Sequence, residues 1–345
     1  MIVSVDAMGG DFAPEQVVKG AVKAVNNFSD TEVILVGNKD RIIAELDKCS
    51  ASNHPRIRIH HAEQVIEMDD HPSEIVRGKR KSSMHEGLKL VKNGDAHAFF
   101  SAGNSGAVMA VAMVTLGLLE GVSRPAIGTI LPCSSPRGYF FMLDVGANVD
   151  CKPEHLLTFS IMGSAYARKV LKINDPSVGL LNNGEEEGKG DMLAKTVYPI
   201  LKNCEPIRFV GNVEGKALYK GEADVVVCDG FVGNIALKVS ESVSNFLFKT
   251  LKAELMGSLK SKIGAMMSKE AFMNVRKRGD SSQYGGAPLL GVKGVCVIGH
   301  GSSDDVAVLN GIRVAREAVV NKVNEAITDD VKNALTNIIN SKYFL

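Results

Sequence analysis

The residues best suited to chemistry in this sequence form a glycine-rich turn, Gly103-Asn-Ser-Gly106. The apolar run at residues 96–100 predicts a strand before the turn, and small apolar residues at helical spacing, 107–119, predict a helix after it. A helix that starts this way leaves backbone N–H groups free to attract an anion, and Asn104 or Ser105 is suited to cap it. Glycines at such turns also serve as plain packing devices. The turn lacks the lysine of a P-loop and the spacing of a dinucleotide fingerprint.

Similar polar loops follow most of the other predicted strands. Because ligands of open α/β sheets bind at the carboxyl ends of the strands, we expect these loops to converge on one cleft. Any single loop could equally be an ordinary turn. The loops supply the candidate residues Asp6, Gly9, Gly10, Asp11, Lys189, Asn212, Asp229, Asn234 and His300.

The elements that must position these residues alternate between strands and helices along the chain. This alternation predicts a mostly parallel sheet that is covered on both faces by helices. We expect residues 1–345 to form one α/β domain and residues 281–288 to form a loop. Residues 240–280 predict a helical hairpin that projects from this domain, because apolar side chains recur there at every fourth position.

Charge, cysteine and histidine spacing and the length of apolar runs limit the kinds of ligand and the cellular location that we expect for this protein. The 345 residues carry a net charge of +1, which gives no indication of nucleic acid binding. None of the six cysteines forms a Cys-x-x-Cys pair, and no histidine spacing suits a metal, so we expect reduced thiols and no metal site. No apolar run is long enough to span a bilayer, and the chain passes from Met1 directly into a predicted strand. These features predict a cytoplasmic protein.

Two sets of basic residues could contact a partner, although such clusters are more often solvated surface. The first set is Arg77, Lys79, Arg80 and Lys81, and the second is Arg276-Lys-Arg278. The predicted hairpin also contains an apolar tip with Lys260 and Lys262 within it. This tip is suited to contact a membrane surface or to be buried against a second copy, and its apolar residues are Leu255, Met256, Leu259, Ile263, Met266 and Met267.

Taken together, the loops resemble those of the PlsX family of bacterial phosphate acyltransferases, which make acyl-phosphate from acyl-acyl-carrier protein. The resemblance covers nearly the whole chain. Ser105 stands where many members carry Thr, and both residues provide a hydroxyl. The matching segments are Asp6-Ala-Met-Gly-Gly-Asp11, Ala102-Gly-Asn-Ser-Gly-Ala107, Arg124-Pro-Ala126, Leu143-Asp-Val-Gly-Ala-Asn148, Gly184-Glu-Glu186 with Lys189-Gly190, Gly211-Asn-Val-Glu-Gly215, Asp229-Gly-Phe-Val-Gly-Asn234 and His300-Gly-Ser-Ser303.

The resemblance implies a three-layer α/β/α fold like that of isocitrate and isopropylmalate dehydrogenases and of phosphotransacetylases. It also implies a homodimer that needs neither cofactor nor metal. The apolar tip of the hairpin predicts in addition that the protein associates peripherally with the inner face of the cell membrane. The expected substrates are a long-chain acyl-acyl-carrier protein and inorganic phosphate. The expected product, acyl-phosphate, would supply a membrane glycerol-phosphate acyltransferase in phospholipid synthesis.

In that reaction bound phosphate attacks the thioester directly, so no serine or cysteine nucleophile is required. We expect Gly103, Asn104, Ser105 and Gly106 to bind phosphate. Lys189 is suited to pair with phosphate or with the oxyanion, and Asn212 and Asn234 are suited to donate hydrogen bonds to that oxyanion. His300 could protonate the leaving thiolate or could cap a helix. The supporting residues that orient these loops are Asp6, Gly9, Gly10, Asp11 and Asp229.

Three other functions compete with this one. The first is a phosphotransacetylase that acts on short acyl-CoA, and the second is a non-catalytic scaffold that binds acyl-carrier protein. The third is a metal- and NAD-dependent dehydrogenase of the same fold class. The apolar helices and the lysine-rich hairpin favour a long acyl chain on a carrier protein over the first alternative.

Overall fold

The structure, a computed structural model, describes residues 1–70, 75, 78–279 and 285–340. An 11-stranded, mostly parallel sheet runs through it, which confirms the expected α/β fold. The strands are β1 (Ile2–Asp6), β2 (Glu32–Gly37), β3 (Ile57–His61), β4 (Ala98–Ser101), β5 (Ala126–Pro132), β6 (Tyr139–Leu143), β7 (Ser177–Asn182), β8 (Arg208–Glu214), β9 (Val225–Val227), β10 (Ala287–Leu290) and β11 (Val295–Ile298). Their order across the sheet is β3-β2-β1-β4-β11-β10-β5-β6-β9-β7-β8.

Most of the connections between strands are helical. The helices are α1 (Glu15–Asn27), α2 (Lys39–Lys48), α3 (Ser83–Asn93), α4 (Ser105–Leu116), α5 (Pro153–Lys169), α6 (Met192–Lys202), α7 (Gly230–Met256), α8 (Leu259–Met267), α9 (Lys269–Gly279), α10 (Asp305–Val320) and α11 (Val323–Asn340), with a short 3-10 helix at Gly215–Lys220.

Two neighbouring phenylalanines on β4 show how the layers are held together. Successive strand residues point to opposite faces, so Phe99 packs with α3 and α4 while Phe100 packs with α1 and α10. Neither side chain is accessible to solvent. Burial of a phenylalanine is worth about 1.5–3 kcal/mol, so β4 anchors both helical layers next to the glycine-rich turn.

The direction of the strands reverses in the middle of the sheet. β3, β2, β1, β4 and β11 are mutually parallel, and we call them the first strand group. β10 pairs antiparallel with both β11 and β5, and β5 pairs antiparallel with β6. β6, β9, β7 and β8 are again parallel and form the second strand group. The two groups therefore run in opposite directions, and their carboxyl ends lie at opposite ends of the strands.

Two predicted elements differ from the structure. Residues 287–290 form β10, where the sequence predicts a loop as far as Pro288; proline lacks the N–H that a strand ladder uses, which hid this strand. The segment at 240–280 consists of the second half of α7, followed by α8 and α9, and α8 packs back against α7. The hairpin is therefore an extension of one continuous helix that begins at Gly230.

Helix α7 is unusual in how much apolar surface it exposes. Of its 27 residues, only Gly230 and Gly233 are buried. A Cβ on Gly233 would lie 1.9 Å from the carbonyl oxygen of Asp144, so only glycine lets the helix start against that loop. The exposed large apolar residues of α7 are Phe231, Val232, Ile235, Val239, Val243, Phe246, Leu247, Phe248, Leu251 and Met256.

Candidate functional site

The loops that follow β1, β4 and β11 meet at the carboxyl end of the first strand group. The N–H of Asp11 donates to the carbonyl oxygen of Gly301 at 2.8 Å. A Cβ on Gly9 would lie 2.8 Å from the backbone nitrogen of Gly103, so the first two loops touch only because Gly9 lacks a side chain. Chain order also changes direction between β1 and β4, which is where open α/β sheets bind ligands. We call these loops the first loop group.

The buried side chain of Asp6 connects the loops of the first loop group through hydrogen bonds. Its carboxylate accepts hydrogen bonds from the N–H of Met8 at 3.1 Å and from the hydroxyl of Ser101 at 2.8 Å. The same hydroxyl accepts the N–H of Gly103 at 3.1 Å, so Asp6 is connected to the glycine-rich turn through one side chain. Burial raises the pKa of Asp6, while hydrogen bonds, led by that from Ser83, oppose the increase.

The side chain of Asn104 is occupied by the protein itself. Its Oδ1 accepts the N–H of Ala107 at 3.0 Å and so caps α4. Its Nδ2 donates to the carbonyl oxygen of Met68 at 2.8 Å, which holds residues 67–70 over the turn. Within the described ranges, the backbone N–H groups of Ser105 and Gly106 have no acceptor. These two N–H groups are therefore free to donate to an anion, and Asn104 positions them.

His300 lies on the loop after β11. Its Nδ1 accepts the N–H of Ser302 at 3.2 Å, so the neutral ring carries its proton on Nε2. The ring is exposed. The histidine does not cap α10, since Asp304 accepts the N–H groups of Val306 and Ala307 in that position. The neutral ring of His300 can therefore donate a hydrogen bond from Nε2 to a ligand.

Lys189 and Asn212 lie at the carboxyl end of the second strand group. The Nδ2 of Asn212 and the backbone N–H of Lys189 both donate to the carbonyl oxygen of Glu186, at 2.8 and 3.0 Å. Asn182 donates to the carbonyl oxygen of Lys189 at 3.1 Å, which fixes the loop from its other side. The lysine is exposed, and its ammonium forms no ion pair with any residue whose structure is described. The Oδ1 of Asn212 is buried and accepts no hydrogen bond from any residue whose structure is described.

Asn234 lies at the same end of the second strand group, in the second turn of α7. Asp229 caps this helix by accepting the N–H of Val232 at 2.8 Å. Asn234 lies beside Gly146, and its side-chain amide has no hydrogen-bond partner among the described residues. We call the loops that carry Lys189, Asn212, Asp229 and Asn234 the second loop group.

Asp144 is a buried organising residue to which the sequence analysis gave no role. Its carboxylate accepts the N–H groups of Ile127, Gly146, Ala147 and Asn148 and the side-chain amide of Asn148. Burial raises its pKa, although these hydrogen bonds favour the charged form. The sequence contains a signal for this role, because Asp144 directly follows a predicted strand and Asn148 comes four residues later.

The convergence of all the loops on one cleft stays a prediction. Each strand group brings its own loops together, so the glycine-rich turn lies with the loop of His300, and Lys189 lies with Asn212. The two strand groups run in opposite directions, but a sheet twists by about 20° at each strand pair, so strand direction alone does not fix how far apart their loops lie. Within the described ranges, no hydrogen bond or ion pair joins the two groups.

The basic sets are only partly described. Lys79 pairs with Asp70, and Lys81 pairs with Glu63 at 3.1 Å, while Arg80 is exposed. Arg77 and the side chains of residues 276–278 lie outside the described residues. In the part of the chain that is described, no group of three or more His, Cys, Asp or Glu side chains could hold a metal ion, and no helix has the length and apolarity to cross a bilayer.

Comparison with known proteins decides the family. A family model described as "Fatty acid synthesis protein" matches residues 1–326. A phosphate acyltransferase of Pelotomaculum thermopropionicum is 47% identical over 333 residues, which are 96% of each chain. The chain belongs to the phosphate acyltransferase family. A member from Nostoc is 46% identical over 94% of each chain. The protein is an acyltransferase by this membership.

Solved structures show the same fold at low sequence identity. A phosphotransacetylase from Streptococcus pyogenes superimposes with a TM-score of 0.63 at 16% identity, over 95% of this chain and 94% of the other. A branched-chain phosphotransacylase from Enterococcus faecalis gives a TM-score of 0.57 at 17% identity, over 92% of this chain and 99% of the other. These likenesses confirm the phosphotransacetylase-like fold class.

Substitution can separate the two roles of the Asn104 side chain, which are the cap on α4 and the hydrogen bond to Met68. Asn104→Ala removes both the cap and the contact to Met68, and we expect it to lower the free energy of unfolding by about 1 kcal/mol. Asn104→Ser restores a cap but cannot reach Met68, so it should recover most of that stability. Hydrogen exchange of residues 67–70 should become faster in both variants. Unchanged exchange in both variants would contradict the role given to Nδ2.

Proposed function

We propose that the protein transfers a long-chain fatty acyl group from acyl-acyl-carrier protein to inorganic phosphate, and so forms acyl-phosphate for phospholipid synthesis. The observation that carries the proposal is full-length membership of the phosphate acyltransferase family, together with a turn whose free N–H groups suit an anion. The acyl carrier protein and the length of the chain come from the sequence resemblance and from the large apolar surface of α7 and α8.

The proposed reaction is a direct displacement at the thioester carbonyl. An oxygen of the bound phosphate attacks the carbonyl carbon, the carbon–sulfur bond breaks, and the carrier thiolate leaves. Phosphate is already nucleophilic at neutral pH, so the protein has to hold it, orient it and stabilise the oxyanion. The N–H groups of Ser105 and Gly106 hold phosphate, Lys189 and Asn234 stabilise negative charge, and His300 in its imidazolium form protonates the thiolate and is left as the neutral ring. Asn212 acts indirectly, since its amide fixes the loop of Lys189.

A second candidate is a phosphotransacetylase that uses short acyl-CoA. The observation that favours it is the fold shared with phosphotransacetylases. The two functions differ in the donor that they accept and not in the phosphate chemistry.

An assay with purified protein separates these functions. We expect phosphate-dependent loss of the thioester of palmitoyl-acyl-carrier protein, with acyl-phosphate as product, and little turnover of acetyl-CoA. Preferred turnover of acetyl-CoA would establish the second candidate. Tight binding of acyl-carrier protein without turnover of either donor would contradict both and support a scaffold.

The role of the turn can be tested at one backbone nitrogen. Proline is tolerated at the first position of a helix, and the ψ of 116° at Asn104 suits the residue before a proline. Ser105→Pro therefore removes one N–H donor while preserving the helix. We expect it to raise the KM for phosphate and to lower kcat/KM by about 10²-fold. Ser105→Ala keeps the N–H and should change kcat/KM by only a few-fold. Equal effects of the two variants would place the donor elsewhere.

Membrane contact and self-association belong to the same proposal. The apolar surface of α7 suits a homodimer, and the tip at α8 suits a peripheral contact with the inner face of the cell membrane. Leu259 is 75% exposed and Met267 83% exposed, and Lys260 and Lys262 lie between them. Such a surface binds anionic headgroups while its apolar side chains insert. Release of acyl-phosphate there would supply a membrane glycerol-phosphate acyltransferase.

Flotation with vesicles that contain anionic lipid tests the membrane contact. We expect the wild type to float and the double variant Leu259→Glu, Ile263→Glu to remain in the dense fraction, because two charges would enter the apolar layer. The matched control is Val114→Glu, Val320→Glu, whose parent residues are exposed apolar side chains that lie away from α8. A wild type that never floats would remove the membrane role.

A further inference from the structure

A substrate with a long acyl chain needs an apolar surface that begins beside the anion site. In a productive complex the thioester carbonyl lies about 3–3.5 Å from the attacking oxygen. Under the proposed function the free N–H groups of Ser105 and Gly106 hold the phosphate that carries this oxygen, so the first methylenes of the chain start next to the glycine-rich turn. Side chains that contact these methylenes must therefore lie around the first loop group.

Two exposed apolar side chains meet this condition. Phe12, in the loop after β1, is 54% exposed, and Met68, in the segment that Asn104 holds over the turn, is 45% exposed. Within the described part of the chain, no other exposed large apolar side chain lies in the first loop group or in residues 67–70. Phe12 and Met68 are therefore the apolar surface that a chain starting at the turn would meet.

Met68 connects the glycine-rich turn with the loop of His300. Its carbonyl oxygen accepts a hydrogen bond from Nδ2 of Asn104 at 2.8 Å. Its methyl group reaches the other loop, where a Cβ on Gly301 would lie 2.9 Å from the methyl carbon. Met68 thus extends from the residue that positions the phosphate donors to the neighbour of the proposed proton donor. A thioester in this site spans the same two points, with its carbonyl at the phosphate and its sulfur at His300.

The backbone around Phe12 is fixed on both sides. The N–H of Asp11 donates to the carbonyl oxygen of Gly301 at 2.8 Å, and the carbonyl oxygen of Phe12 accepts the N–H of Gln16 at 3.1 Å. These hydrogen bonds, like the one to the carbonyl of Met68, do not use the exposed side chains. An apolar side chain that is exposed on a fixed backbone is a preorganised contact for an apolar ligand.

We propose that Phe12 and Met68 form the contact surface for the first methylenes of the acyl chain and so determine the preference for longer acyl donors. This inference rests on the proposed function. Removal of one methylene from water favours binding about fourfold, so contact with several methylenes discriminates strongly against an acetyl group. The contacts are the same before and during the attack, so they lower the KM for the donor and leave kcat unchanged.

Acyl donors of different length on one carrier protein test the proposal, because the contacts of the carrier are then identical. Acetyl-, hexanoyl- and palmitoyl-acyl-carrier protein are compared at saturating phosphate. We expect the double variant Phe12→Ser, Met68→Ser to lower kcat/KM for the hexanoyl and palmitoyl donors by about tenfold, through KM, and to change it less than about twofold for the acetyl donor. The KM for phosphate should be unchanged.

Two further variants serve as controls. The double variant Phe12→Leu, Met68→Leu keeps an apolar surface and should retain the chain-length preference of the wild type. Met192→Ser removes a methionine that is 79% exposed and follows Lys189 by three residues, at the start of α6. It should leave the chain-length preference unchanged, because Met192 lies outside the first loop group.

An equal loss of kcat/KM with all three donors would show that the two side chains support the loops and do not contact the chain, and it would overturn the inference. An unchanged ratio of kcat/KM between the hexanoyl and acetyl donors would do the same, as would an equal change of this ratio in Met192→Ser. Failure of the proposed function gives a different result, which is a wild type that turns over none of the donors with phosphate or prefers the acetyl donor.

Discussion

The antiparallel hydrogen bonds that β10 and β5 form with their neighbours set the direction of the two strand groups relative to each other. Without them, all strands would run in the same direction. With them, the glycine-rich turn and Lys189 each follow the carboxyl end of a parallel strand, but these strands belong to groups of opposite direction. Each strand group is a parallel sheet with its own helices, and backbone hydrogen bonds fix the reversal of direction between the two groups.

The fold was accessible from the sequence because its signals are local. Apolar runs that end in glycine or aspartate marked most of the strands, and helical spacing marked α1, α4 and α5. β10 was missed because Pro288 cannot donate to the ladder. Because β10 was missed, the reversal of strand direction was missed as well, since β10 pairs antiparallel with both of its neighbours. Strand order and polarity depend on non-local pairing, which no local pattern encodes.

The candidate site also has features that follow from local sequence and features that depend on long-range contacts. The glycine-rich turn with its free N–H groups could be predicted because a strand, a glycine turn and a helix are contiguous in sequence. The use of Asn104 could not, because its amide contacts Met68, which lies 36 residues earlier in the chain. Asp144 accepts hydrogen bonds from strand β5 and from its own loop, which only the folded sheet brings together. The sequence thus indicates which residues are suited to chemistry, whereas long-range contacts decide whether a side chain meets a ligand or supports its neighbours.

Helix α7 has a mechanical consequence. It runs without interruption from Asn234 to Met256, and α8 begins three residues further on, at Leu259. At 1.5 Å per residue this is a rod of about 33 Å. An upright rod would hold Asn234 that far from any lipid on which α8 rests, and a reclining rod would bring it close. Under the proposed function, the tilt of this one helix would set the distance that the acyl-phosphate travels between Asn234 and the bilayer.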